Sequence, residues 1–154
     1  MTRELILLRH AHAESAAPGE DDAQRPLSAR GIAEAEAAGR WLRERRASPA
    51  RVLCSPARRT RQTLERALGD VDAIVEPRIY AATAGELIAL IDEHADAARL
   101  LLVGHNPGFE TVVALLTTGQ SGDFRGMPPA GIAWIEIESD AEPGASRLKA
   151  FRAP

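Results

Sequence analysis

Arginine and histidine residues occur in three short segments that lie far apart in the chain. Arg9 and His10 are adjacent, Arg58 and Arg59 follow a Ser-Pro pair, and His105 lies between a glycine and an asparagine. Guanidinium groups suit bidentate contacts with phosphate or carboxylate. Imidazole can act as a nucleophile near neutral pH. These residue types therefore indicate a cationic site for an anion of phosphate size, with a histidine able to attack it.

The elements that must position these segments are alternating strands and helices. Continuous apolar runs predict strands that are buried on both faces, two of them long and two short: 5–8, 100–103, 52–54 and 73–75. Segments with apolar residues at helical spacing lie between and after these runs. Alternation of this kind is typical of a mainly parallel sheet with helices on both faces.

The predicted fold class is therefore α/β, a three-layer α/β/α sandwich around a central, mostly parallel sheet. Residues 132–137 and 148–151 are typical of a hairpin that adds two strands to one edge. The length predicts a single domain over residues 1–154. Ligands of such folds bind outside the carboxyl ends of the strands. All three cationic segments follow predicted strands at that end, so we expect them to share one site.

Helix starts near the same edge are visible in the sequence. Thr83 and Glu86 have the spacing of a capping box. Ser55 and Asn106 each precede a proline, a pattern that predicts a capping residue followed by proline at the first helical position. The free N–H groups of helix N-termini attract anions. The predicted helix starts therefore add to the cationic character of the site.

Composition excludes several classes of protein. The 154 residues contain 19 Lys+Arg and 22 Asp+Glu, a net charge of −3, which argues against a nucleic-acid partner. The single cysteine fits a reducing compartment. The sequence shows no signal-peptide core and no apolar run long enough to span a membrane. We therefore predict a cytoplasmic location without membrane association. The oligomeric state stays open.

At this point the motifs resemble a known family. Residues 8–11, Leu-Arg-His-Ala, resemble the Arg-His-Gly signature of the histidine phosphatase superfamily, which includes the cofactor-dependent phosphoglycerate mutases. Residues 55–63 and 104–108 are closer to its SixA branch, the small phosphohistidine phosphatases, and residues 25–28 with Gly31 match the same branch. The resemblance covers most of the chain and implies a phosphoglycerate-mutase-like fold.

The resemblance also implies roles for five residues. His10 resembles the nucleophile that accepts the phosphoryl group, and Arg9 and Arg59 resemble the two arginines that bind phosphate. His105 resembles the second histidine at the phosphoryl group, and Arg25 resembles a further arginine for substrate binding. The implied enzyme is a metal-independent phosphatase without a cofactor. Its substrate would be a phosphohistidine on a signalling phosphotransfer protein.

The sequence departs from the family pattern in two ways. Ala11 replaces the usual glycine, and no residue clearly matches the glutamate that donates a proton in the mutase branch. Glu76 and Glu86 are the nearest candidates, although Glu86 is also explained as a capping residue, and Asp21 and Asp22 could approach from the preceding loop. A weak acid is sufficient for an imidazole leaving group, whereas an alkoxide needs better protonation.

Other functions remain open at this stage. A phosphatase for small phosphate esters or anhydrides would need the same nucleophile, and a non-catalytic module could bind a phosphorylated ligand without turnover. His10 and His12 also form a His-x-His pattern that metal-dependent hydrolases use. The usual host for that pattern is a barrel of about 250 residues, and this chain is shorter. Residues 13–24 could cover the site.

Overall fold

Six strands and four helices make up the part of the chain that the computed structural model describes, residues 2–122, 126–138 and 141–154. The strands are β1 (Arg3–Arg9), β2 (Arg51–Cys54), β3 (Ile74–Val75), β4 (Arg99–Gly104), β5 (Ile132–Ile137) and β6 (Arg147–Arg152). The helices are α1 (Ala29–Glu44), α2 (Arg58–Leu68), α3 (Ala84–Glu93) and α4 (Gly108–Thr118). Two 3-10 turns occupy Asp22–Gln24 and Pro77–Ile79.

The strands form one mixed sheet in the order β3-β2-β4-β1-β5-β6. Strands β3, β2, β4 and β1 are parallel, and β5 and β6 add antiparallel at the β1 side. The predicted α/β sheet, mostly parallel with a terminal hairpin at its edge, is therefore confirmed.

The core lies on both faces of the sheet because side chains of β1 alternate between them. Leu5 and Leu7 pack into a buried cluster with residues of α3 and α4, whereas Ile6 and Leu8 pack with residues of α1 and α2. Two covered faces explain why residues 5–8 of β1 and 100–103 of β4 are all apolar. The three-layer arrangement therefore follows from the pattern that the sequence shows.

The third predicted strand is less buried than we expected. Residues 73–75 were predicted as a strand covered on both faces, but β3 has only two residues and lies at the edge of the sheet. Ile74 and Val75 are 48% and 52% exposed. An apolar run of three residues does not reveal which strand will be outermost, since that depends on the order of strands across the sheet.

Of the helix starts predicted at Ser55, Thr83 and Asn106, the one at Thr83 is correct and the other two are shifted. Thr83 and Glu86 form both hydrogen bonds of a capping box at α3. Ser55 does not cap α2, which begins at Arg58 after Ala57, so that prediction is wrong. Helix α4 begins at Gly108, and Asn106 lies just before it, although the Asn106 side chain still accepts a hydrogen bond from the Glu110 backbone. No helix in the described ranges is long and apolar enough to cross a membrane.

Candidate active site

The carboxyl ends of the central strands open onto one cavity. Arg9 at the end of β1 is in register with Gly104 of β4, and Cys54 of β2 is in register with Val103. The segments that follow these strands therefore start at the same edge. They line a cavity of about 340 Å³ together with two more distant parts of the chain. Its walls are formed by Arg9, His10, Asp22, Arg25, Arg59, Tyr80, Ala81, His105 and Asn106.

His10 is held in one orientation directly after β1. Its backbone N–H donates to the Gly104 carbonyl at 3.0 Å, and its carbonyl accepts from the Ala130 N–H at 3.1 Å. The ring Nδ1 lies 2.8 Å from the Ala11 carbonyl oxygen. A carbonyl can only accept, so Nδ1 carries the hydrogen of that bond. In the neutral ring, Nε2 therefore keeps the lone pair that a nucleophile requires.

Ala11 fits its position despite replacing the glycine of the family signature. Its side chain is fully buried, and its backbone φ is not positive. The Ala11 N–H donates to the Thr63 hydroxyl of α2 at 3.0 Å. An L-residue is therefore accommodated without backbone strain, and the hydrogen bond ties the His10 segment to α2.

The structure distinguishes Arg59 from its neighbour Arg58. The Arg59 side chain is only 7% exposed and lines the cavity, whereas Arg58 is exposed and does not. Arg59 donates from NH1 to the Asp22 carbonyl at 2.8 Å and from NH2 to Asp22 Oδ2 at 3.0 Å. NH2 also lies 3.4 Å from His105 Nδ1. This arrangement places a buried positive charge beside both histidine rings.

The His105 ring contacts the His10 ring and the Tyr80 ring. Its ring centroid is 5.3 Å from that of His10 and 5.5 Å from that of Tyr80, the latter in an edge-on arrangement. Its Nε2 is 2.8 Å from the Ser55 hydroxyl oxygen. Ser55 therefore does not begin a helix, as the sequence had suggested, but holds the second histidine of the cavity.

Both histidines have strongly lowered pKa values. Burial is the main cause of the shift of the His10 pKa to about 4, and the positive charges of Arg59 and Arg9 lower it further, while the hydrogen bond to Ala11 opposes them. Burial also lowers the pKa of His105 to about 3, helped by His10 and Arg59. Both rings are therefore neutral at pH 7.

Arg9 contributes a second partly buried guanidinium. Its NH1 donates to the Met127 carbonyl at 2.8 Å. Burial lowers its pKa, and the nearby carboxylates of Glu110 and Glu34 oppose that shift. Among the described residues, the buried Nε atoms of Arg9 and Arg59 have no hydrogen-bond partner. Unpaired buried donors on two arginines of one cavity fit the binding of an oxyanion.

The loop before α1 reaches the cavity through Asp22 and Arg25. Arg25 donates from Nε to the Glu14 carbonyl at 2.8 Å and from NH1 to Asp22 Oδ1 at 3.1 Å. Asp22 also accepts from the Tyr80 hydroxyl at 2.6 Å. Together with Arg59, these donors hold the pKa of the Asp22 carboxyl far below its usual range, Tyr80 being the largest cause. The end of the loop thus forms one wall of the site.

Tyr80 is the cavity residue that sequence reasoning missed. It directly follows the 3-10 turn Pro77–Ile79, outside any motif. The next residue, Ala81, has a φ of 57°, a left-handed conformation that costs roughly 1–2 kcal/mol for an L-residue. The only signal in the sequence was that this is the single tyrosine of the chain, located just before a capping box.

The two glutamates that we considered as proton donors are engaged elsewhere. Glu76 pairs with Arg78 at 2.9 Å and caps the 3-10 turn, and Glu86 closes the capping box of α3. Neither lines the cavity, whose only carboxylate among the described residues is Asp22. The structure therefore leaves Asp22 as the one acidic candidate, and its lowered pKa keeps it ionised.

His12 does not join His10. Its Nδ1 lies 2.7 Å from the Ser28 hydroxyl at the start of α1, and it is not part of the cavity wall. Within residues 2–122, 126–138 and 141–154, no group of three or more His, Cys, Asp or Glu side chains could hold a metal ion. The two histidines of the His-x-His pattern thus have separate partners.

Comparison with known proteins agrees with this geometry. Residues 5–87 match the family model of the histidine phosphatase superfamily (branch 1). The uncharacterized protein Rv1276c of Mycobacterium tuberculosis is 37% identical over 155 residues, which cover 93% of this chain and 98% of that protein.

Two solved structures extend the similarity to the whole fold. SixA from Agrobacterium tumefaciens is similar with a TM-score of 0.86 and 33% identity, covering 99% of this chain and 98% of that one. The structure of the protein histidine phosphatase SixA complexed with tungstate is similar with a TM-score of 0.82 and 25% identity. The match covers 96% of this chain and 95% of that one. The fold that the motifs implied is thereby confirmed. On its sequence, its fold and these relatives, the chain belongs to the histidine phosphatase superfamily, in the SixA-like branch.

Proposed function

We propose that the protein is a phosphohistidine phosphatase that works through a phosphorylated His10, with a phosphotransfer protein of a signalling system as its substrate. The observation that carries the proposal is the His10 ring, which lines a cavity with three arginines. Its Nδ1 is bonded to the Ala11 carbonyl, so Nε2 is the ring nitrogen that keeps the lone pair. The similarity to SixA proteins supports the same substrate class.

In the first step, His10 Nε2 attacks the phosphorus atom in line with the leaving group. A bond forms between Nε2 and phosphorus, and the bond from phosphorus to the leaving nitrogen breaks. The phosphoryl oxygens carry the negative charge of the transition state, so fixed positive charge around them lowers the barrier. We assign Arg9 and Arg59 to these oxygens, with His105 and Arg25 as further contacts.

In the second step, water attacks the phosphorus of phospho-His10, and the bond to Nε2 breaks. Inorganic phosphate leaves as dihydrogen phosphate with both protons of the water molecule. The electron pair of the broken bond returns to Nε2, and His10 regains its neutral form. The ring orientation set by Ala11 serves both steps because the same nitrogen forms and releases the phosphoryl bond. The sequence of steps requires neither a metal ion nor a cofactor.

The lack of a suitable acid favours phosphohistidine over phosphate esters. Asp22, the carboxylate of the cavity wall among the described residues, is ionised because Tyr80, Arg25 and Arg59 donate to it. An alkoxide leaving group needs a proton donor, whereas the imidazole of phosphohistidine leaves readily without strong protonation. Ordinary esters of sugars and alcohols are therefore expected to be poor substrates.

The test compares two substrates and two histidine variants. Loss of phosphate from a phosphohistidine-bearing phosphotransfer protein is measured beside hydrolysis of p-nitrophenyl phosphate, with and without a chelator. His10→Ala should abolish turnover, and His12→Ala is the matched control because that side chain bonds Ser28 outside the cavity.

Chelator-resistant turnover of the phosphoprotein, dependent on His10 and faster than ester cleavage, is the expected result. Faster cleavage of the ester would instead indicate a phosphatase for small phosphate esters or anhydrides. Phosphate binding without turnover of either compound would indicate a non-catalytic module, and activity lost with chelator and restored by zinc would indicate a metal-dependent hydrolase.

A further inference from the structure

The carboxylate of Asp22 sits in the wall of a site that must bind an anion, and its position there requires an explanation. Asp22 Oδ2 accepts from both Arg59 and Tyr80, whereas Oδ1 accepts from Arg25. A carboxylate oxygen has two acceptor positions, so Oδ2 is saturated and Oδ1 keeps one position for another donor. The side chain is 51% exposed and lines the cavity, so it is accessible to a bound ligand.

A carboxylate that served only to orient Arg59 would not need this accessibility. The Asp22 backbone carbonyl already accepts from Arg59 NH1 at 2.8 Å, so the arginine is anchored even without the side chain. Arg9, Arg25 and Arg59 supply three positive charges to the cavity, and Asp22 reduces the total to two. The remaining two positive charges match a phosphoryl dianion. The negative charge of Asp22 lies at one wall of the cavity.

We propose that Asp22 determines leaving-group specificity: its carboxylate accepts a hydrogen bond from the second ring nitrogen of a phosphorylated imidazole and thereby favours leaving groups that depart from a cationic ring. The proposal rests on the phosphatase function proposed above and specifies how one substrate class is selected. The same negative charge repels leaving groups that depart as anions, such as phenolates and carboxylates.

The chemistry of the step is balanced without an added acid. The phosphorylated imidazole carries a proton on its second nitrogen, where Asp22 stabilises it. When His10 Nε2 bonds to phosphorus, the electron pair of the breaking phosphorus–nitrogen bond returns to the imidazole ring. The ring already holds its proton, so it leaves as neutral imidazole, and Asp22 stays ionised throughout.

The experiment measures kcat/KM for two small substrates with opposite leaving groups. N-phosphoimidazole releases imidazole, and p-nitrophenyl phosphate releases a phenolate anion. Asp22→Asn keeps the shape of the side chain but removes its charge. We expect kcat/KM for N-phosphoimidazole to fall about 10- to 100-fold, as for loss of a hydrogen bond to a charged group. The value for p-nitrophenyl phosphate should fall by less or should rise, so the ratio of the two kcat/KM values should shift in favour of the ester.

Asp21→Asn is the matched control. Asp21 is an exposed neighbour that makes no side-chain capping hydrogen bond and does not line the cavity. The Asp21→Asn variant measures the effect of removing one negative charge from the same loop. We expect its ratio of the two kcat/KM values to equal that of the unsubstituted protein. Competitive inhibition by inorganic phosphate shows that each variant keeps a folded site.

Several outcomes would overturn the proposal. Equal losses for both substrates in Asp22→Asn would mean that Asp22 only positions the arginines. An unchanged ratio, or the same change in Asp21→Asn, would remove the specific role of its charge. If the unsubstituted protein hydrolyses neither substrate nor a phosphohistidine protein, the proposed function fails and the specificity role falls with it. If the unsubstituted protein hydrolyses both substrates and Asp22→Asn leaves the ratio of their kcat/KM values unaltered, only the specificity role is overturned.

Discussion

The rings of His10 and His105 lie 5.3 Å apart with their planes tilted by 57°. The two rings reach the cavity from different strands, His10 after β1 and His105 after β4. At this separation a proton on one ring disfavours a proton on the other. Burial acts in the same direction on both, so the site holds two neutral imidazoles among three arginines.

The stability of the fold should depend on pH because of these two histidines. An unfolded histidine titrates near pH 6.5, whereas the folded values are about 4 and about 3. Between pH 6.5 and about 4 the unfolded chain therefore binds more protons, and the free energy of unfolding should fall as pH decreases. Each ring contributes up to about 1.4 kcal/mol per pH unit.

Urea unfolding at several pH values in this window measures the slope. A double variant, His10→Asn with His105→Asn, should show a clearly shallower slope than the unsubstituted protein. Asp22 does not mimic the effect, because its lowered pKa affects stability only below about pH 4, where an unfolded aspartate becomes protonated. Parallel slopes in the two proteins would contradict the role of the buried rings.

Arg59 should be far more important for activity than the adjacent Arg58. Arg59→Lys keeps the charge but cannot reproduce a fork that reaches both Asp22 and His105. We expect kcat/KM to fall by about 10²-fold or more, as for loss of a positioned donor at a developing charge. Arg58→Lys is the control, since Arg58 is exposed and, among the described residues, its side chain donates only to the Gln24 carbonyl at 3.4 Å. Similar losses of kcat/KM in both variants would contradict the prediction that only the arginine that lines the cavity contributes to activity.

Gly31 in α1 should not tolerate a side chain. A Cβ there would overlap the backbone carbonyl of His12, which cannot move aside without shifting the loop that begins at His10. We expect Gly31→Ala to lower the free energy of unfolding by about 1–3 kcal/mol. Gly85→Ala in α3 should instead raise it by about 0.5–1 kcal/mol, because the nearest atom is 4.0 Å away and alanine favours helix. Urea unfolding of both variants tests the contrast, and equal effects would refute it.

Cys54 should be unreactive in the folded protein. It is 1% exposed, and burial raises the pKa of its thiol to about 11. The thiolate is the reactive form, so alkylation by iodoacetamide near neutral pH should be absent until the chain is unfolded in urea. Mass spectrometry detects the modification directly, and activity should survive the treatment. Rapid labelling of the native protein would mean that β2 opens readily.

The sequence by itself determined the layers of the fold and the edge where the chemistry lies. Hydrophobic periodicity is a local property, so the buried strands β1 and β4 and the apolar faces of the helices could be read directly. The carboxyl-end rule for parallel strands then predicted that Arg9, His10 and His105 share one site. The same rule placed Arg58 and Arg59 at this edge, and the family motifs favoured Arg59 over Arg58 and added Arg25.

Only the tertiary structure decided which side chains complete the site. Tyr80 and Asp22 are 58 positions apart and meet through a single hydrogen bond, which no local pattern encodes. Likewise, Ser55 has the local features of a capping residue, yet it bonds His105. The exposure of Ile74 depends on β3 being the outermost strand. Periodicity reports how one segment is buried, whereas these contacts depend on which distant segment packs beside it.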